Sequence, residues 1–176
     1  ICPGDSATLQ VRFEGTAPFS VTYLRNGSNA KTVSNIKQLN YTLKVSGDGT
    51  YTLSAVSDKI RSGCVSGSGI VISRTIPTAS ISGSATVCEY VPADLRITLT
   101  GRPPWSFSYR RNSETPVVVS PVASSPNYLS VTKAGTYKLV NVTDKYCNGT
   151  VSGSAQITVT PAPVVTITGL KPAYSA

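Results

Sequence analysis

The sequence predicts an all-β chain built as two consecutive copies of one two-layered sheet module. Three observations predict it. Apolar residues recur at every second position in stretch after stretch, the period of a strand with one face buried, while no segment shows helical spacing over three turns. Composition favours Val, Thr, Ser, Tyr and Gly over Glu, Lys and Ala, which suits pleated, half-buried surfaces joined by tight turns. The chain also repeats itself. The stretch Asp144-Lys145-Tyr146-Cys147-Asn148-Gly149-Thr150-Val151-Ser152-Gly153-Ser154 has a shadow 86 positions earlier, Asp58-Lys59-Ile60-Arg61-Ser62-Gly63-Cys64-Val65-Ser66-Gly67-Ser68.

The elements follow in order. Residues Ser6 to Glu14 alternate, with Leu9, Val11 and Phe13 on one face and Thr8, Gln10, Arg12 and Glu14 on the other. A turn at Gly15-Thr16-Ala17-Pro18 leads to a second strand through Phe19, Val21 and Tyr23. The second copy repeats both strands as Leu95, Ile97, Leu99 and Trp105, Phe107, Tyr109, with Gly101-Arg102-Pro103-Pro104 between them. Residues 29–38 and 112–126 are the least alike, and Pro116, Pro121 and Pro126 mark the latter as an edge strand or loop, because proline cannot donate to a central ladder. Next come Tyr41, Leu43 and Val45, matched by Leu129 and Val131. Tyr51 and Tyr137 each open a strand directly after a glycine turn. The last strand is expected to run from Val65 to Arg74 and from Val151 to Thr160, with Gly67 and Gly153 marking a bulge or tight contact. Thr75 to Gly83 links the copies, and Pro161 to Gly169 matches that link at the same offset. The expected domains are residues 1–76 with a truncated first strand, residues 77–162, and residues 163–176 as the start of a third repeat or a linker. So short a proline-bearing link favours an extended, semi-rigid rod.

Four cysteines at duplicated positions, with no CxxC pair and no histidine, fit two disulfides better than a zinc site. If Ser62-Gly63 and Asn148-Gly149 are two-residue hairpin turns, the residues flanking them face each other about 5.5 Å apart. Cys64 and Cys147 then reach equivalent partners, which predicts Cys2–Cys64 and Cys88–Cys147. Each bridge closes a loop of about 60 residues and stabilises by roughly 4 kcal/mol on the chain-entropy account. An oxidising compartment follows.

Tyr51 and Tyr137 are placed like the tyrosine corner of immunoglobulin-like sandwiches, where a Tyr hydroxyl bonds backbone at the corner between sheets. Two residues on, where an antibody domain has its inter-sheet cysteine, stand Leu53 and Leu139. The pattern Cys-x-Gly-Asp-Ser-Ala-Thr-Leu, Gly-Thr-Ala-Pro-Phe-Ser-Val-Thr-Tyr, Gly-Thr-Tyr-Thr-Leu and Val-Ser-Asp…Cys…Val-Ser-Gly-Ser spans residues 2 to 68. It recurs at Cys88, Gly101, Pro104-Trp105, Tyr109, Gly135-Thr136-Tyr137, Asp144, Cys147 and Val151 to Ser154. This constellation resembles the tandem immunoglobulin-like repeats of very large Bacteroidetes surface proteins, among them gliding-motility adhesins of the SprB type. The resemblance implies export by type IX secretion, display on the cell surface, and a stalk or contact role in adhesion and gliding. The partners it implies are neighbouring repeats of one long chain, surface polysaccharide or an abiotic surface, and outer-membrane motility or secretion machinery. The alternative is a carbohydrate-binding or spacer module of a secreted polysaccharide-active protein.

Other classes are disfavoured. The net charge of +8 comes from Lys and Arg spread evenly over both copies, with no cluster longer than Arg110-Arg111, so a solvated basic surface is read in place of a nucleic-acid face. No run of 18 apolar residues predicts membrane insertion. No catalytic constellation, cofactor site or metal site is read: histidine is absent and the eight acids are scattered singly. Asp58 and Asp144 close the same strand in both copies and are read as turn-capping residues, with a metal or ligand role as the alternative. Trp105 alternates with Phe107 and Tyr109 and is read as core, against a sugar-stacking platform. Tyr90, Tyr128 and Tyr146 are candidates for exposed contacts. Asn26, Asn40, Asn141 and Asn148 head formal N-glycosylation sequons, which a bacterial origin leaves mostly unused, and Asp5-Ser6-Ala7 resembles a Bacteroidetes O-glycosylation signal with Ser6 the acceptor.

Overall fold

The computed structural model describes residues 1–167 and 169, and every regular element among them is a strand. They form two compact units, Ile1–Ile76 with Tyr146–Asn148, and Pro77–Lys145 with the residues from Gly149 onward.

The first unit begins with β1 (Ser6–Arg12), β2 (Phe19–Arg25), β3 (Ser28–Ile36) and β4 (Asn40–Ser46), and continues with β5 (Gly49–Ser57), β6 (Ser62–Gly63) and β7 (Ser68–Val71). β1 pairs antiparallel with β4, setting Leu9 opposite Leu43 and Val11 opposite Tyr41. The second sheet runs β3-β2-β5-β6, with β7 also on β5. Period-two alternation sends Val11, Phe13, Phe19, Val21, Leu43, Val45 and Tyr51 into the space between the sheets. Phe13 stacks on Phe19 with ring centroids 4.7 Å apart. Each such side chain contributes about 1.5–3 kcal/mol by leaving water.

The second unit comprises β8 (Thr78–Ser82), β9 (Ala85–Cys88), β10 (Ala93–Leu99), β11 (Trp105–Arg111), β12 (Val117–Val122), β13 (Asn127–Val131), β14 (Gly135–Thr143), β15 (Thr150–Ser152) and β16 (Ala155–Thr160). One sheet runs β13-β10-β8-β15 and the other β12-β11-β14-β16-β9. Leu95, Ile97, Phe107, Ala155 and Ile157 are fully buried between them. Trp105 is core, its indole N–H donating to the Thr100 carbonyl at 2.9 Å. The dissimilar segments supply edge strands, β3 in one unit and the proline-bearing β12 in the other.

Two expectations about strands are corrected. Residues Val151 to Thr160 are two strands in opposite sheets, with the crossing at Gly153, where φ is +82° and a β-carbon would stand 2.4 Å from the Ile81 carbonyl oxygen. In the first copy Val65 to Arg74 yields only β7. The supposed link Thr75 to Gly83 contains β8, which lies between β10 and β15, and Gly83 (φ +113°) passes the chain to β9 in the other sheet. Alternation shows where strands lie but not that a positive-φ glycine lets one run change sheets. As for the third repeat, residues 161–167 carry no strand, and residues 168 and 170–176 lie outside the described residues.

Candidate functional site

Each unit turns its chain at the tyrosine expected to do so. Tyr51 is buried and its hydroxyl donates to the carbonyls of Ser46 (2.7 Å) and Gly47 (3.1 Å); Tyr137 donates to that of Lys133 at 2.8 Å. Beside them Asn26 and Asn112, both in left-handed conformation, accept from the amides of Thr50 (2.8 Å) and Thr136 (2.9 Å). Sequence reading missed this pair. The side chain of the Asn26 sequon is therefore already engaged in a turn. Ser6 opens β1 and is exposed.

Asp58 and Asp144 organise the opposite corner. One carboxylate oxygen of Asp58 accepts from Thr16 N–H at 3.1 Å, and the other accepts from Ile60 at 2.7 Å and Arg61 at 2.8 Å. The amides of Thr16, Arg61 and Ile60 hold this carboxyl below the usual carboxylate range. Asp144 accepts from Arg102 N–H at 3.0 Å, the equivalent bond. The hairpin turn is thus Asp58 to Arg61, closed by Asp58 N–H donating to the Arg61 carbonyl at 2.9 Å, and not Ser62-Gly63. Gly63 already lies on the return strand, opposite Val56. Gly149, its counterpart, is needed for close approach: a β-carbon there would stand 2.1 Å from the Pro77 carbonyl oxygen.

This displaced turn changes the cysteine pairing. Cys147 occupies the turn position of Arg61, while Cys64 comes three residues later, past β6, so the two are not equivalent. The bridge is Cys2–Cys147, with Cα atoms 5.8 Å apart, and Cys64 and Cys88 are exposed free thiols. The expected pairs Cys2–Cys64 and Cys88–Cys147 are not formed. Tyr146 and Cys147 count among the residues of the first unit, where the Arg74 guanidinium lies 3.6 Å over the Tyr146 ring. Tyr90 and Tyr128 are exposed.

The 86-residue offset puts the first unit's counterpart of β8 ahead of residue 1. In the second unit β8 fills the place between β10 and β15, burying Ala79 and Ile81. In the first, two cavities of about 470 and 420 Å³ lie there, lined by Leu9 to Glu14 on one side and Gly63 to Gly69 on the other. Among the described residues no group of three or more His, Cys, Asp or Glu could hold a metal ion. Among the same described residues no helix is long and apolar enough to cross a membrane, which says nothing of strands.

Residues 1–68 and 76–157 match, in two successive segments, the family of the Ig-like domain of nucleoporin POM152. The chain belongs to this family. Nucleoporin pom152 of Schizosaccharomyces pombe is 30% identical over 192 residues, covering 97% of this chain and 15% of that protein. Nucleoporin POM152 of Saccharomyces cerevisiae is 27% identical over 174 residues, covering 86% and 13%. The chain therefore spans about one seventh of these relatives. Among solved structures, the titin I-band fragment I67-I69 aligns with a TM-score of 0.55 at 17% identity, over 91% of this chain and 62% of that one. A marsupial T cell receptor aligns at 0.57 and 12%, over 94% and 72%. Both show the fold alone: an all-β, immunoglobulin-like architecture, as the sequence predicts.

The POM152 match overturns the role expected from the bacterial resemblance. A surface adhesin repeat, and with it the alternative of a carbohydrate-binding or spacer module, gives way to the Ig-like domain of a nucleoporin. The expected partners, from surface polysaccharide to motility and secretion machinery, and the expected cell-surface location fall with it. The physical reason is visible in the structure. Gly-Thr-Tyr, the Asp-headed hairpin and the turn before Phe19 or Trp105 carry out turning and packing that immunoglobulin-like sandwiches of many lineages need, so they report architecture and not descent.

Proposed function

We propose that this chain is a non-catalytic structural segment of a nucleoporin, contributing two Ig-like units to a scaffold at the nuclear pore, with other nucleoporins as its partners. The observation that carries the reading is the match of both repeats, one after the other, to the Ig-like domain of POM152. The Cys2–Cys147 bridge supports a place in an oxidising compartment, which for a pore protein is the lumen of the nuclear envelope. The units offer what a scaffold needs: cores locked by tyrosine corners and backbone-capped turns. The test is to tag the parent protein in its source cells, image it, and identify proteins crosslinked to it. Punctate signal at the nuclear rim, nucleoporins among the crosslinked proteins, and protection of this segment from added protease until the envelope is permeabilised are the expected results. A signal away from the nuclear envelope, or crosslinks without nucleoporins, would overturn the pore assignment. Digestion before permeabilisation would overturn the lumenal one.

A further inference from the structure

The four Asn-x-Ser/Thr sequons are not alike once folded. Asn26 accepts the Thr50 amide on its Oδ1 at 2.8 Å, and its Nδ2 packs on Gly49, 3.0 Å from where a β-carbon there would stand. Asn141 lies on β14, inside its sheet between β11 and β16, and accepts from the hydroxyl of buried Ser108 at 2.8 Å. Asn148 stands between Cys147, held in the bridge to Cys2, and Gly149, pressed against the Pro77 carbonyl. Two of these amides hold the fold together, and the third has a covalent constraint on one side and a steric one on the other.

Asn40 differs. It opens β4, where Tyr41, Leu43 and Val45 turn toward the core, so Asn40, Thr42 and Lys44 stand on the outer face and are exposed. Opposite Asn40 and Thr42 on that face lie Arg12 and Gln10, both exposed, and Thr42 donates to Gln10 at 3.3 Å. Among the described residues the Asn40 amide enters no side-chain hydrogen bond. β4 is the outer strand of its sheet, as its counterpart β13 is in the second unit, so Asn40 stands at a sheet margin.

We propose that Asn40 is an N-glycosylation site, the one of the four sequons that carries sugar. Both matched nucleoporins come from eukaryotes, and the site rests on the lumenal reading above, because sequons are used where a lumenal transferase meets them. The donor is an oligosaccharide carried on a lipid diphosphate. A bond forms between Asn40 Nδ2 and the anomeric carbon of the first sugar, and the bond from that carbon to the diphosphate oxygen breaks. The lipid diphosphate leaves with the electron pair, and the amide proton passes to a base of the transferase. A sugar chain is bulky and hydrated, so it is tolerated where the amide meets water and has no partner in the fold. At this margin it also covers Leu39, which is 54% exposed, and the unpaired edge of β4, guarding both against pairing with another chain. Pro126 holds the equivalent position in the second unit, whose matching edge therefore carries no sugar.

The experiment is a glycopeptide map of the full chain secreted from eukaryotic cells behind a cleavable signal, set beside the same map of the parent protein from its source cells. Enzymatic removal of the sugar leaves aspartate at the point of attachment. This conversion is expected at Asn40 in both samples, with a loss of mass on the intact chain. Asn40→Gln removes the acceptor and Thr42→Val the hydroxyl that the sequon requires, and each is expected to abolish that loss of mass. Both positions are exposed on the outer face, so the urea midpoints of the two variants are expected to stay close to that of the deglycosylated chain. A secreted chain bare at Asn40 would overturn the proposal. So would sugar at Asn26, Asn141 or Asn148 with an occupancy matching that of Asn40. Sugar at Asn40 in the secreted chain and none on the parent would instead overturn the lumenal placement, while supporting Asn40 as the acceptor.

Discussion

The hydroxyls of Tyr51 and Tyr137 tie buried rings to the backbone that turns beside them, at Ser46 and Gly47 in one unit and Lys133 in the other. Tyr51→Phe and Tyr137→Phe keep the ring and lose the bond, so each is expected to destabilise its own unit by about 1–2 kcal/mol, read from urea midpoints. Asp58 adds a pH dependence. Its folded carboxyl is held below the usual range by the amides of Thr16, Arg61 and Ile60, so the unfolded chain takes up the proton first. The stability it supplies is present above the ordinary carboxylate value of about 4 and is lost as pH falls through that value toward the lowered one. Asp58→Asn is thus expected to be less stable than the parent at neutral pH, with the gap closing as pH falls below the ordinary carboxylate range in denaturant titrations. These residues were legible as turn formers because their chemistry is local: a Tyr after Gly-Thr, an Asp heading a hairpin. Asn26 and Asn112 were not, because the amides they cap lie 24 residues away.

At the scale of the element, two glycines at one repeat position do different work. Gly153 combines φ +82° with a backbone oxygen 2.4 Å from its would-be β-carbon, whereas Gly67 has φ +94° and nothing within 4 Å. Gly67→Ala meets only the conformational penalty, about 1 kcal/mol. Gly153→Ala adds a clash with Ile81 and is expected to cost about 2–3 kcal/mol or more, both read from thermal or urea unfolding. The strands themselves could be read from sequence, since alternation is written residue by residue in Leu9, Val11, Phe13 and again in Leu95, Ile97, Leu99. Their partners could not. The division of Val151 to Thr160 between two sheets depends on β8 occupying the lane beside β15, a contact some 72 residues back.

For the molecule as a whole, the cysteines are the clearest test. Peptide mapping without reductant is expected to show Cys2 joined to Cys147, with Cys64 and Cys88 alkylated. Recovery of Cys2–Cys64 or Cys88–Cys147 instead would restore the symmetric arrangement read from the repeat. Reduction is expected to destabilise the first unit, which holds both ends of the bridge, by about 2–4 kcal/mol and to leave the second little changed. That contrast is measurable as a split of the thermal transition.

By itself the sequence determined the strand class, the 86-residue repeat, the core faces and the tyrosine corners, because each depends on residues close along the chain or on a pattern copied whole. Only the tertiary structure decided the cysteine pairing and the strand that changes sheets at Gly153. Those turn on which distant segments come to lie side by side, and a shift of three residues in one turn was enough to exchange the partner of Cys2.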